Sequence, residues 1–225
     1  MNDIISKQMN VPTSPFRGQG GKVSAIILAG GLGTRLREAV PDLPKCMAPV
    51  AGRPFLFYVI NALRMQGVER FIFSLGYKHE IIEAYLADQF SRLQYECVIE
   101  TEPLGTGGAI QLACNKATGK NVLVTNGDTL FHIDVAALLS LHEKNDADCT
   151  LALKPMENFD RYGVVEIDAA NTITSFREKQ FYPKGLINGG IYILNKELMA
   201  AKRLPEKFSF EKDYPNATVI LLEQN

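Results

Sequence analysis

The sequence is poor in features that would place it in a specialised class. Its four cysteines, Cys46, Cys97, Cys114 and Cys149, lie far apart and form no CxxC pair. The three histidines, His79, His132 and His142, form no ligand cluster with them. A zinc site or a disulfide framework therefore has no support, and a reducing cytoplasm is the expected setting. Charge of one sign is not in excess either. Lys and Arg number 24 and Asp and Glu 25, a formal net charge of -1. That balance argues against a chain whose main business is gripping a nucleic-acid backbone. No apolar run nears the roughly 18 residues of a membrane span. The N-terminus lacks the basic start and apolar core of a secretory signal. No internal repeat is visible.

What is present fits one well-buried domain: 225 residues with 46% hydrophobic composition. Residues 1–22, including PTSPFRGQGG, are rich in Pro, Gly and Ser and read as a flexible arm. From Val23 onward apolar runs alternate with amphipathic segments. VSAIIL, FIFSLG, YECVIE and NVLVTNGD read as four strands. Between them PFLFYVINALRMQG, closed by Gly67, EIIEAYLADQF and GGAIQLACNKA read as helices. DVAALLSLHEKN reads as a further helix, N-capped by Asp134. This rhythm predicts an α/β fold, a Rossmann-like, doubly wound, mainly parallel sheet covered on both faces. CTLALK, GVVEID, TITSFRE and LINGGIYILN then give strand after strand, predicting a β-rich subregion over one end of the sheet. Residues 23–225 are expected to form a single domain.

The first strand runs into LAGGLGTRL, Leu28 to Leu36. A glycine turn there serves either as a tight strand-to-helix connection or as an anion cradle. Ligands of such sheets bind beyond the carboxyl ends of the strands. Leu28, Ala29, Gly30, Gly31, Gly33 and Thr34 occupy that place, where glycines let backbone amides approach a phosphate. The spacing excludes a P-loop, and Leu36 stands where the dinucleotide fingerprint needs a glycine. Arg35 favours the cradle, since a guanidinium pairs bidentately with phosphate oxygens. Ten residues on, LPKCMAPV holds Lys45 in a stretch too proline-punctuated for helix, a second candidate phosphate clamp. TNGD then ends the fourth strand with Asp128, either a turn carboxylate or a ligand for Mg²⁺ bridging phosphates. EPLGTGGAI, Glu102 to Ile110, is a second glycine turn opening a helix. Glu102 either caps that turn or accepts the N1–H and N2–H₂ donors of guanine.

LAGGLGTRL…LPKCMAPV resembles the signature of the sugar-phosphate nucleotidyltransferases, GGxGTRLxPLTxxxPKPxxP. PLGTGGAI, FDRYGVV, GLINGGIYIL and EKFSFE are similar to segments of the heptose 1-phosphate guanylyltransferase branch, over roughly residues 23–212. The resemblance implies a glycosyltransferase-A-like version of the fold. It also implies Mg²⁺ as cofactor, and an NTP (GTP for that branch) and a sugar 1-phosphate as partners. Arg35, Lys45 and Asp128 would be catalytic, with Asp128 on the metal and Gly107 near the base. Gly163, Glu178, Lys179, Asn188 and Gly189 would hold the sugar and its phosphate. Arg177, between them, reads as a solvent-facing strand charge.

Cys46 replaces the family's usual proline, and Glu38-Ala39-Val40 departs from the middle of the signature. The family's second metal aspartate, in a FIDIG(T/V)PEDY segment, has no counterpart, because Asp213 comes too soon. Two readings follow: a chain short relative to the family, with apolar surface bared where a closing helix would pack, or a metal held by Asp128, waters and substrate phosphates alone. A binding module without turnover and a Rossmann dehydrogenase are the competing classes. The dehydrogenase lacks a ribose-binding acid at the tip of SLGYKHE.

Overall fold

The computed structural model describes residues 23–31, 42–169 and 171–214, and the backbone of 218–221. Residues 1–22 and 32–41 lie outside the described residues, and with them the expected arm, Gly33, Thr34, Arg35 and residues 38–40. Along the chain come β1 (Ser24–Leu28), a small hairpin of β2 (Pro49–Val50) and β3 (Arg53–Pro54), α1 (Phe55–Met65), β4 (Arg70–Leu75) and α2 (His79–Gln89). Then follow β5 (Gln94–Ile99), α3 (Gly105–Cys114), β6 (Asn121–Asn126), α4 (Val135–Lys144) and β7 (Cys149–Phe159). The remainder is β8 (Val165–Ile167), β9 (Ile173–Phe176), β10 (Tyr182–Asn195), α5 (Lys196–Ala201), α6 (Phe210–Asp213) and β11 (Thr218–Leu221).

The local reasons for these elements are the ones the sequence suggests. Helix α1 follows Pro54, whose fixed φ suits a helix start, and buries Leu56, Val59, Ile60 and Leu63 at three- and four-residue spacing. It stops at Gly67, at φ 87. There the Val68 N–H donates back to the Leu63 carbonyl at 3.1 Å, the six-to-one bond of a Schellman close. Helix α4 is capped by Asp134, whose Oδ1 accepts the Ala137 N–H at 2.9 Å. The proline-rich LPKCMAPV contains one 3-10 turn, Lys45–Met47, between Pro44 and Pro49.

Among the described residues, seven strands form the main sheet in the order β11-β7-β10-β6-β1-β4-β5. Pairing is parallel throughout except at β10, which runs antiparallel to both β6 and β7. Alternate residues of each strand feed opposite layers. Ala25 and Ile27 of β1, with Phe71 and Phe73 of β4, pack against α1, α2 and α4. Ile26, Ile72, Val122 and Val124 pack against α3, α5 and α6. Because both faces are covered, β1 is buried almost end to end, as its unbroken apolar run requires.

One expectation is corrected. Two of the four strand segments in the second half do not form a subregion apart from the sheet. CTLALK and LINGGIYILN are β7 and β10, members of the main sheet. The separate β-ribbon in this half is β8–β9. Pairing of β10 is broken by a bulge: Asn188 faces Leu153, and Tyr192 faces Leu151. Two extra residues are thus accommodated on β10, with Gly190 in the left-handed region at φ 73.

Candidate active site

Strands β1, β4, β5 and β6 all end on one side of the sheet, and their ends open into a cavity of about 840 Å³. Leu28, Ala29, Gly30 and Gly31 bring its wall from β1, Gly76 and Tyr77 from β4. Glu100, Thr101, Glu102 and Pro103 come from β5, and Asn126 and Asp128 from β6. This is where ligands of a doubly wound sheet belong.

Main-chain bonds hold the first turn tightly. The Ala29 N–H donates to the Ser74 carbonyl and the Gly127 N–H to the Leu28 carbonyl, each at 2.8 Å. Gly30 has no room for a side chain, since a Cβ there would lie 2.8 Å from Glu100 Oε1 and 3.2 Å from Gly76 N. Among the described residues, a Cβ on Gly31 would meet nothing within 4 Å.

Lys45 and Asp128 meet across the cavity floor, Lys45 Nζ paired with Asp128 Oδ2. Lys45 arrives on its 3-10 turn and Asp128 on the loop after β6, so two segments far apart in the chain place opposite charges together. Both stay in contact with solvent, the side chains 40% and 28% exposed. Neighbouring Cys46 turns into the core, where burial first and the Asp128 charge second push its thiol up to about 12. It is therefore a packing residue and not a nucleophile.

Glu102 is exposed at the rim of the cavity. The carboxylate that organises the turn is Glu100, two residues earlier. Its Oε1 accepts from Ser74 Oγ and its Oε2 from the Leu104 N–H, both at 3.2 Å. Sequence reasoning missed Glu100. The signal available was the alternation of two acids, Glu100 and Glu102, on one side of an extended strand end.

Gly107 is not among the described lining of the cavity and packs against the segment before α6. Its N–H donates to the Phe208 carbonyl at 3.0 Å, and a Cβ on it would lie 2.1 Å from the Phe208 ring. Gly107 thus faces the α6 side, and Gly105, Thr106 and Ala109 of α3 line the cavity. The glycine exists to admit Phe208.

The residues expected on the sugar side stand apart from the described lining of this cavity. Asn188 spends its amide inside the bulge, Nδ2 donating to the Tyr192 hydroxyl at 2.7 Å and Oδ1 accepting the Gly190 N–H at 2.8 Å. Gly189 lies under the Phe131 ring, 2.7 Å from a would-be Cβ. Gly163 lets its segment pass the Arg177 carbonyl, 2.2 Å from a would-be Cβ. Glu178 and Lys179 are exposed between β9 and β10, and Glu178 accepts from Lys212 Nζ at 3.3 Å. Arg177, one residue past the end of β9, is a surface charge paired with Glu166 at 2.5 Å. The bulge nevertheless reaches the cavity, since a Cβ on Gly190 would lie 2.7 Å from Asn126 Nδ2.

A smaller cavity of about 290 Å³ opens at the opposite end of β1 and β6, beside His142. The His142 ring is buried and its Nδ1 bonds Thr150 Oγ1 at 2.9 Å. Burial, reinforced by the Lys120 charge, lowers its pKa from 6.5 to about 4.

The sequence profile of the Nucleotidyl transferase family matches residues 24–220 of this chain. The chain belongs to that family. Among relatives of the transferase is the D-glycero-alpha-D-manno-heptose 1-phosphate guanylyltransferase of Aneurinibacillus thermoaerophilus, 49% identical over 85% of this chain and 83% of that one. The Campylobacter jejuni protein of the same name is 46% identical over 84% of each. A crystal structure of HddC from Yersinia pseudotuberculosis complexed with GMP-PN superimposes with a TM-score of 0.79. Its identity is 36%, over 89% of the transferase and 90% of that chain. An inositol-1-phosphate CTP transferase from T. maritima, at 21% identity and a TM-score of 0.71, shares the fold.

Proposed function

We propose that this transferase moves a guanylyl group from GTP to D-glycero-D-manno-heptose 1-phosphate, giving GDP-heptose and pyrophosphate. The observation that carries the reading is 49% identity to a heptose 1-phosphate guanylyltransferase over 85% of this chain and 83% of that one. A cavity with a cation and a carboxylate on its floor supports it chemically.

The reaction asks little covalent chemistry of the protein. A phosphate oxygen of the sugar phosphate attacks the α-phosphorus in line, forming one P–O bond as the bond to pyrophosphate breaks. That oxygen is already ionised, so no general base is needed. Positioning and charge neutralisation remain. Lys45, held on the floor beside Asp128, presents its ammonium to the reacting phosphates. The amides of the first turn approach the triphosphate at Gly31. Arg35 steadies the departing pyrophosphate, Glu102 meets the guanine edge at the rim, and Lys179 receives the sugar phosphate.

Asp128 fits the role of a magnesium ligand. It is a partly exposed carboxylate beside the site of the phosphates, and Mg²⁺ is bound through one or two carboxylates together with substrate oxygens and water. Bound there, Mg²⁺ would supply charge neutralisation to the phosphates.

A panel of four NTPs against heptose, mannose and N-acetylglucosamine 1-phosphates, read by pyrophosphate release, tests the reading. GTP with heptose 1-phosphate is the pair expected to turn over fastest. A UDP-linked product would overturn the base, and preference for mannose 1-phosphate the sugar. GTP binding in a calorimeter with no release from any pair would make the chain a binding module.

A further inference from the structure

The segment EKFSFEKD, ending in α6, makes none of the substrate contacts proposed above, yet it grips the nucleotide side of the cavity. The Phe208 N–H donates to the Leu104 carbonyl at 3.0 Å, and the Phe210 N–H to Thr106 Oγ1 at 2.9 Å. Thr106 is part of the cavity wall. Its hydroxyl in turn donates to Glu211 Oε2 at 3.1 Å.

Glu211 also faces the other way. Its Oε1 accepts from the Tyr192 hydroxyl at 3.4 Å, and Ser209 Oγ adds a bond to Oε2 at 3.3 Å. Tyr192 is 2% exposed, and its oxygen accepts from Asn188 Nδ2 at 2.7 Å. Asn188 Oδ1 fixes the Gly190 N–H of the bulge, and Gly190 packs against Asn126, two residues before Asp128. Donors and acceptors alternate without conflict from Thr106 to the cavity floor. Burial and the Glu211 charge raise the Tyr192 pKa well above 10, so this hydroxyl remains a donor at neutral pH.

We propose that Glu211 is a positioning residue that couples the two substrate subsites, because its carboxylate joins the nucleotide-side turn at Thr106 to the Asn188–Gly190 bulge beside Asn126 and Asp128. The inference rests on the reaction proposed above. A nucleoside triphosphate that settles against Thr106 fixes Glu211, and Glu211 fixes the bulge. A sugar 1-phosphate then meets a floor already ordered, and by linkage the reverse holds equally. Lys212, the next residue, extends the tie to the exposed turn before β10 through Glu178. A purely structural carboxylate would anchor α6 to β10 and affect stability alone.

The test is calorimetric titration of a non-hydrolysable guanosine triphosphate analogue with and without saturating heptose 1-phosphate. In the wild-type protein each ligand should tighten the other by about 5–150-fold, the usual range of such coupling. Tyr192→Phe, which deletes one buried hydroxyl and no carbon, should bring the factor close to 1. Glu211→Ala should do the same, and Glu211→Gln, which keeps one acceptor oxygen, should retain part of it. Each ligand alone should bind these variants within about 3-fold of wild type, since neither residue touches it in this scheme. Thermal midpoints read in parallel separate the two roles. Wild-type coupling in both Tyr192→Phe and Glu211→Ala, with only the midpoint lowered, would overturn the proposal. So would a wild-type protein that binds both ligands independently. A wild-type protein that binds neither would reject the reaction itself, and the coupling with it.

Discussion

Replacing Gly107 with alanine adds one methyl group at the most crowded point between α3 and the segment before α6. The new carbon would sit 2.1, 2.3 and 2.5 Å from three atoms of the Phe208 ring. Carbon atoms rest about 3.5–4.0 Å apart, so the ring has to retreat by roughly 1.5 Å. The backbone cannot carry it away, because Phe208 is tied to Leu104 and Gly107 by two bonds of 3.0 Å. The ring must leave a site where it is 5% exposed. Expelling a buried phenylalanine costs about 1.5–3 kcal/mol. Alanine returns up to about 1 kcal/mol through its better helix propensity. The net loss, between about 0.5 and 3 kcal/mol, should lower the thermal midpoint by roughly 1–12 °C in a domain of this size. Differential scanning calorimetry is the assay. Gly31→Ala, whose Cβ meets nothing within 4 Å among the described residues, is the control and should melt like wild type. A Gly107→Ala midpoint equal to that of Gly31→Ala would refute this account of the glycine.

Two further outcomes follow from the floor and the far cavity. Lys45→Met and Asp128→Asn should each lower pyrophosphate release by about 10²–10³, the usual effect of removing one such electrostatic group. The pair is partly exposed, so breaking it should cost about 1 kcal/mol of stability or less. Near-normal turnover in either variant would remove that residue from the mechanism. His142 makes stability fall in mild acid. Its pKa is near 4 in the folded chain and 6.5 when unfolded, so the unfolded state binds the extra proton between those values. Stability contributed above pH 6.5 is therefore lost as pH drops toward 4, by at most about 3 kcal/mol, solvent screening of the exposed Lys120 reducing it. A His142→Gln chain should show a flatter urea midpoint against pH over that window, and an unchanged slope would reject the assignment.

The alternating half of the fold was legible because its signals are local. Unbroken apolar runs such as SAIIL have to be buried on both faces, and Gly67 and Asp134 end and start helices by bonds within a few residues. Two strands of the second half were misplaced because strand order is decided by partners far away in sequence. Nothing in LINGGIYILN says that it will lie between residues 121–126 and 149–159. The site divides in the same way. Lys45 and Asp128 were readable, one between prolines and one at a strand end, and the structure joins them. Glu100 and Glu102 have the same chemistry in sequence, and only the path of the turn decides which one binds Leu104. Gly107 reads in sequence as one more glycine of a turn near the base, and only the fold brings Phe208, about a hundred residues later, into the space its missing side chain leaves.

Above the bulge, β7 and β10 pair from Lys154 with Ile187 out to Phe159 with Tyr182. This length is a two-stranded arm whose register is set independently of the central strands, because the slack of Gly189 and Gly190 separates the two stretches of pairing. Residues added or removed in matched pairs along it would leave β6 and its Asp128 undisturbed. A relative could exchange the whole outer span for one suited to another acceptor while inheriting the same triphosphate machinery, and a chimera joined at residues 154 and 187 is the natural graft.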